Sequence, residues 1–413
     1  MIERIFQGER LGLLGFGTMR LPLQADGTVD ENQVRDMTAY AMAHGVNYFD
    51  TAYPYHGGES ERVIGRVLRD YPRDTWNLAT KYPGHQIASR YDPADIFEEQ
   101  LQKCGVAYFD FYLLHNVYEQ SIHTYADPRW GIVDYFVEHK RRGRIRHLGF
   151  SSHGGVDCLR GFLDQYGDVM EFCQIQLNYL DWTLQDAAAK VALLNERHIP
   201  VWVMEPVRGG KLAKLPEENE ATLQALRPEE SPAAWAFRFL QEVPGVTMIL
   251  SGMSDMAQME ENIRTFRVEK PLSPAERQTL LAIAEGMKDG VPCTACRYCC
   301  AGCPMGLDIP SLLAVYNEVR VAPAVNAGMR IEALPENKRP SACIGCGRCT
   351  RICPQKIDIP GAMRDFTRAL AQLPSWAEIC RQREEAAARG RQRSRKHAAQ
   401  RNRRHEPCER ILA

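Results

Sequence analysis

Eight short apolar runs punctuate the first two-thirds of the chain, and each leads into a stretch with helical periodicity. The runs are LGLLGFG (11–17), VNYFDT (46–51), WNLATK (76–81), FDFYLLH (109–115), IRHLGFS (145–151), FCQIQLNY (172–179), VWVMEP (201–206) and VTMILSG (246–252). Runs that are apolar on both faces and alternate with helices belong to a parallel sheet. The segments between them, such as NQVRDMTAYAMAHG and SPAAWAFRFLQEV, carry helix punctuation: Ser or Pro at the opening, Gly at the close. Eight such units in about 260 residues match the size of a (β/α)8 TIM barrel. A doubly wound open sheet is the alternative this pattern leaves open. The rhythm stops near residue 267, one more helix is expected over 273–287 (SPAERQTLLAIAEGM), and the barrel is assigned to 1–287. No sequence repeat is apparent.

Barrel enzymes carry their chemistry at the C-terminal ends of the strands. The second, third and fourth runs bring Asp50, Lys81 and His115 there, and Tyr55 follows closely behind Asp50. An ammonium beside a phenol favours the phenolate, a carboxylate holds that ammonium in place, and an imidazole hydrogen-bonds a carbonyl oxygen. Such a set protonates an alkoxide as a hydride arrives, or deprotonates an alcohol as one leaves. Each residue alone has a structural explanation; four on neighbouring strand ends point to catalysis.

GVNYFDTAYPYHGGESERVIG (45–65), LATKY (78–82), FYLLHN (111–116), RHLGFSSH (146–153) and the opening GFGTMRLP (15–22) resemble aldo-keto reductases in type and order. The resemblance spans about residues 10–266. It implies a barrel, a nicotinamide cofactor and the tetrad Asp50, Tyr55, Lys81 and His115, with Tyr55 as general acid/base. It also implies that Ser151, Ser152 and Gln174 hold the carboxamide. Glu205 stands where the family often has a Tyr stacked on the nicotinamide, which leaves Pro206 for that surface. Gly209, Gly210 and Lys211 fall beside the pyrophosphate, the turn at Gly252 opens onto a helix N-terminus suited to an anion, and Asn262 matches the adenine contact. Asp255 and Gln258 occupy positions where many members carry basic residues for a 2′-phosphate. The pattern therefore favours NAD(H) over NADP(H). The expected substrate is a small carbonyl or alcohol compound, with Tyr53, Tyr82, Trp130 and Trp182 on or near the rim.

Nine of the 14 cysteines fall within 293–303 and 343–353. Structural zinc usually takes paired C-x2–4-C motifs. Two complete C-x2-C-x2-C-x3-C-P runs instead fit two [4Fe–4S] clusters, each fourth cysteine serving the other cluster. Cys293, Cys296, Cys299 and Cys353 are thus expected on one cluster, and Cys343, Cys346, Cys349 and Cys303 on the other, with Cys300 a spare. The long helical spacer between the runs resembles α-helical ferredoxin domains, and barrel plus cysteine domain (288–370) resembles the iron–sulfur branch of the same family. Clusters move single electrons whereas hydride moves a pair. Two readings of the clusters stand: a relay to a ferredoxin or flavodoxin carrier, or a structural support that shapes the barrel mouth. A redox sensor or electron-transfer protein with an inactive barrel is the reading from a different class.

Residues 371–413 are assigned as a basic C-terminal tail; the stretch 381–413, with eleven Arg plus Lys against four Glu, is expected to be disordered. A net charge of −1 gives no general argument for nucleic acid. The N-terminus lacks the apolar core of an export signal, and no run is long enough to span a membrane, so a cytoplasmic location is expected.

Overall fold

The computed structural model describes residues 1–288, 290–386 and 388–389. Eight parallel strands close into a barrel: β1 (Leu14–Gly17), β2 (Tyr48–Asp50), β3 (Asn77–Tyr82), β4 (Phe109–Val117), β5 (Ile145–Ser152), β6 (Cys173–Gln176), β7 (Val201–Met204) and β8 (Val246–Ser251). Closure runs through β8 and β1, with Ile249 opposite Leu14. All eight apolar runs are strands, so the open-sheet alternative falls. The first run divides at Leu13. Gly12 pairs antiparallel with Glu3 in an N-terminal hairpin, and Leu14 starts the barrel. That hairpin sends Phe6 against Phe111 and Trp202, within a core cluster that also holds Tyr48, Phe172 and Met248.

Helices fill the crossovers as the punctuation predicts. Glu31–Ala43 starts at Asp30, whose side chain accepts from the Gln33 amide, and Pro232–Gln241 is capped by Ser231. Pro274–Gly286 begins with a full capping box between Ser273 and Glu276. Gly65 shows what close packing requires: a Cβ there would lie 2.3 Å from the Cys104 carbonyl oxygen, so only glycine lets helix Ser60–Leu68 rest on helix Pro93–Cys104.

The cysteine region folds as a separate helical core built on Cys299, Leu307, Leu313, Ile359, Met363 and Phe366. Here the structure corrects the sequence analysis, since a repeat is present. Short helices Tyr298–Ala301 and Arg348–Ile352 pack together, and each precedes a Cys-Pro turn and a longer helix, Ile309–Val321 or Ile359–Ala371. CPMGLDIP (303–310) and CPQKIDIP (353–360) lead into those longer helices with the same Asp-Ile-Pro, although only the Asp358 side chain caps its helix.

A second correction concerns the tail. Residues 376–386 are helical, Trp376 and Cys380 are buried, and both pack with Tyr118 and Met329. The Trp376 amide donates to the Glu332 carboxylate at 2.9 Å, which fixes where this helix starts. The basic stretch 390–413 lies outside the described residues. Among the described residues, no helix is long and apolar enough to cross a membrane.

Candidate active site

Asp50 ends β2, and Lys81 lies near the end of β3. The Lys81 ammonium donates to Asp50 Oδ1 at 2.5 Å and to the Thr51 carbonyl at 2.7 Å. Tyr55 begins the turn Tyr55–Gly58, in which His56 and Gly57 adopt left-handed backbone. This turn brings the Tyr55 ring centroid to 5.1 Å from Lys81 Nζ. His115 reaches the same place through an irregularity in β4, where the register with β5 shifts between Leu114 and Val117 and Asn116 takes a φ of 55°. Its ring stands edge-on to Tyr55 at 6.0 Å. The four side chains predicted to act together are therefore gathered at one point.

A buried polar layer holds them. Ser60 Oγ is 2.7 Å from Thr18 Oγ1 and 2.9 Å from Thr51 Oγ1. Glu61, inaccessible to solvent, accepts from Thr80 at 2.6 Å, Gln100 at 2.7 Å and Lys103 at 3.2 Å. These bonds tie the strand around Lys81 to the helices behind it. A buried carboxylate is tolerated when it is so fully satisfied.

Burial dominates the electrostatics. It pushes the Tyr55 phenol above its ordinary value near 10, Lys81 pulling the other way. Burial likewise raises the Asp50 carboxyl against the pull of Lys81. It works against the Lys81 ammonium, but Asp50 and Tyr55 together carry that group above its usual value. His115 falls well below 6.5, chiefly through burial and then through His85 and Lys81, so its imidazole is neutral near pH 7. The lysine therefore opposes, without overcoming, the cost of forming a buried phenolate.

A cavity of about 720 Å3 opens above this point. Asp50, Tyr55, His115, Ser151, Gln174, Pro206, Gly210, Gly252 and Asn262 line it. The Ser151 hydroxyl accepts from the Asn116 amide at 2.8 Å, and Asn262 donates to Ser251 at 3.1 Å. The Gln174 side-chain oxygen is buried with no partner, an acceptor suited to an amide N–H such as that of a carboxamide. Two of the expected cofactor residues bond elsewhere in this structure. The Ser152 hydroxyl is committed to the Val117 carbonyl at 2.8 Å, and Lys211 donates to the Val321 carbonyl of the cysteine domain. Neither lines the cavity. Of the rim aromatics, none lines it either. Tyr82 packs on Phe136, Trp130 on Tyr91, Trp182 on Phe239, and the Tyr53 hydroxyl bonds Glu99.

Sequence reasoning missed part of the wall. Arg20 lines the cavity between Gly209 and Gly252, and Glu205 stands 3.9 Å from its guanidinium. His85 lies tilted against His115 at 4.3 Å and stacks on Trp376 at 5.5 Å. Trp376, Ile379 and Arg383 close the mouth together with Asn326 and Met329 of the cysteine domain. Trp376, Ile379, Cys380 and Arg383 fall at the i, i+3, i+4, i+7 spacing of a helix stripe, the signal that overall polarity concealed.

Two smaller cavities lie in the cysteine domain. Cys293, Cys296, Cys299 and Cys353 line one; Cys303, Cys343, Cys346 and Cys349 line the other. These are the crossed groupings that the spacing predicts. The Leu307 amide points at Cys303 Sγ from 3.5 Å, the kind of donor that stabilises a ligated sulfur. Eight thiols in two rings suit iron–sulfur ligation. Among the described residues no cluster of three or more His, Cys, Asp or Glu forms a site for a single metal ion.

Comparison with known proteins places this architecture. Residues 292–357 match the model for a 4Fe-4S dicluster domain. A NADH-specific methylglyoxal reductase of Escherichia coli (strain K12) is 25% identical over 306 residues, covering 64% of this chain and 91% of the relative. L-galactose dehydrogenase of Arabidopsis thaliana is 23% identical over 280 residues, 62% of this chain and 84% of the relative. The holo form of an aldo-keto reductase from Bacillus halodurans superposes with a TM-score of 0.57 at 25% identity, over 68% of this chain and 96% of that one. With residues 13–285 matching the aldo/keto reductase model across the whole barrel, the chain belongs to the aldo/keto reductase family and is an oxidoreductase.

Proposed function

We propose that this protein reduces a small carbonyl compound with NADH, Tyr55 donating the proton. The observation that carries the reading is the buried Lys81–Asp50 pair set against Tyr55 and His115 on the cavity floor. When bound, a dihydronicotinamide supplies hydride. Gln174, Ser151 and Asn116, which line the cavity, would orient its carboxamide, and Pro206 would flank its ring. Neutral His115 hydrogen-bonds the substrate oxygen, and Tyr55, protonated because burial raises it, hands its proton to that oxygen. Lys81 then steadies the phenolate left behind.

The Asp255 carboxylate accepts from the Gln258 amide at 2.8 Å and stands fixed at the N-terminus of helix Met256–Arg267. A negative charge there disfavours a 2′-phosphate, in line with the NADH specificity in the name of the Escherichia coli relative. NADH and NADPH titrations test this: a lower Kd for NADPH overturns it.

The two thiol rings hold two [4Fe–4S] clusters in this reading. Because the cysteine domain and the helix after it form part of the cavity wall, the clusters act as supports for the mouth. Exposed Cys296 and Cys346 favour a second role, one-electron exchange with a ferredoxin or flavodoxin carrier. Iron and sulfide analysis with EPR after adding NADH decides between them. Eight irons per chain that neither NADH nor an added reduced ferredoxin or flavodoxin reduces, with full carbonyl reduction, fit the supporting role; reduction by the carrier alone fits the exchange.

A further inference from the structure

Resting on the reductase reading above, we infer that the substrate carries a carboxylate, and that Arg383 recognises it. Arg383 lines the cavity beside Tyr55, His115 and His85. Its guanidinium lies 5.2 Å from the Trp376 ring centroid. Among the described residues it makes no hydrogen bond and no ion pair, although the neighbouring Arg381 pairs with Glu378. Of the other charged groups in the cavity, Asp50 is engaged by Lys81 and Glu205 by Arg20, while Glu261 lines it beside Gln258 and Asn262. Trp376 adds a buried indole N–H that has no partner. Guanidinium and indole are donors only, so the group that satisfies them is an acceptor.

A planar carboxylate matches the guanidinium fork, and the apolar Trp376, Ile379 and Met329 around a single cation suit one negative charge rather than a phosphate dianion. The nucleotide's own phosphates belong elsewhere, beside Gly209, Gly252 and Arg20 at the ends of β7 and β8. In the reaction, hydride from the dihydronicotinamide forms the new C–H bond. The carbonyl π pair moves to oxygen, which takes the Tyr55 proton. The nicotinamide leaves oxidised, and the carboxylate is unchanged.

The test uses full-length, cluster-loaded protein with oxidised NAD, so that no reduction occurs. Calorimetry measures binding of phenylglyoxylate and of its methyl ester to the wild type, Arg383→Gln and Arg383→Lys. Phenylglyoxylate is expected to bind, to weaken by roughly 10- to 100-fold in Arg383→Gln, the range for loss of a charge-assisted bond, and to weaken less in Arg383→Lys. The ester is expected to be indifferent to both changes. Equal losses for acid and ester, no loss for either, or no binding of the acid to the wild type overturns the inference. Turnover with NADH is read separately. If the ester is reduced and the acid shows no dependence on Arg383, the reductase reading stands and the carboxylate falls. If neither is reduced while the acid binds through Arg383, the carboxylate stands and the reductase reading falls.

Discussion

Lys81 donates to Asp50 across 2.5 Å in a place that solvent does not reach. A buried pair of this kind contributes little net stability, yet removing one partner leaves an uncompensated charge. Asp50→Asn and Lys81→Met are each expected to cost about 3–5 kcal/mol in denaturant unfolding. The double change Asp50→Leu/Lys81→Met should cost less than the sum of the singles. Strict additivity would mean that the two groups are uncoupled.

Tyr55→Phe keeps the ring against His115 and removes only the hydroxyl. Carbonyl reduction is expected to fall by roughly 10²- to 10⁴-fold, the contribution of a positioned acid. Nucleotide affinity and iron content should be unchanged. Retention of more than a tenth of wild-type kcat would remove Tyr55 from its proposed role.

The direction of the Tyr55 shift fixes the pH profile. Burial raises this phenol above 10, so the acid form persists through neutral pH and is lost only above that value. Reduction, read as kcat/KM, should be level from about pH 6 to about pH 9 and decline beyond it. Alcohol oxidation needs the phenolate and should climb over the same upper range. A reductive decline that begins near neutrality and disappears in Tyr55→Phe would contradict the assignment.

Acid should destabilise the mouth. Burial lowers His85 and His115 well below 6.5 and takes His153 to about 3. The unfolded chain binds protons near pH 6.5 and the folded one does not. Stability is therefore held above that pH and is lost progressively as pH falls toward the folded values. Thermal melts across this range should show the decline, and His153→Gln should flatten it.

Cys353 lines the cavity with Cys293, Cys296 and Cys299, apart from the other three cysteines of its own run. Cys353→Ser is expected to perturb the EPR signal of the cluster held by the first run while leaving the other intact. Removing both clusters should release Trp376 from His85, seen as faster hydrogen exchange over 376–386. Loss of the second run's signal instead would mean that each run holds its own cluster.

The barrel and the tetrad were legible in the sequence because their determinants are local. Strand and helix periods repeat within each unit, and strand ends lie on one rim once a parallel barrel closes, so Asp50, Lys81 and His115 were bound to meet. The cysteine groupings followed from the motif spacing of the two runs, a pattern in which each fourth cysteine serves the other cluster. The closing wall did not. Trp376 and Arg383 reach His85 and Tyr55 only because Glu332 holds the start of their helix and Tyr118 buries its stripe, contacts between segments far apart in the chain. The fates of Ser152 and Lys211 were likewise set by distant carbonyls, at Val117 and Val321. Periodicity records how a segment buries its own face; which remote partner covers that face, and which hydroxyl or ammonium is drawn away by a backbone oxygen, is decided only when the packed structure forms.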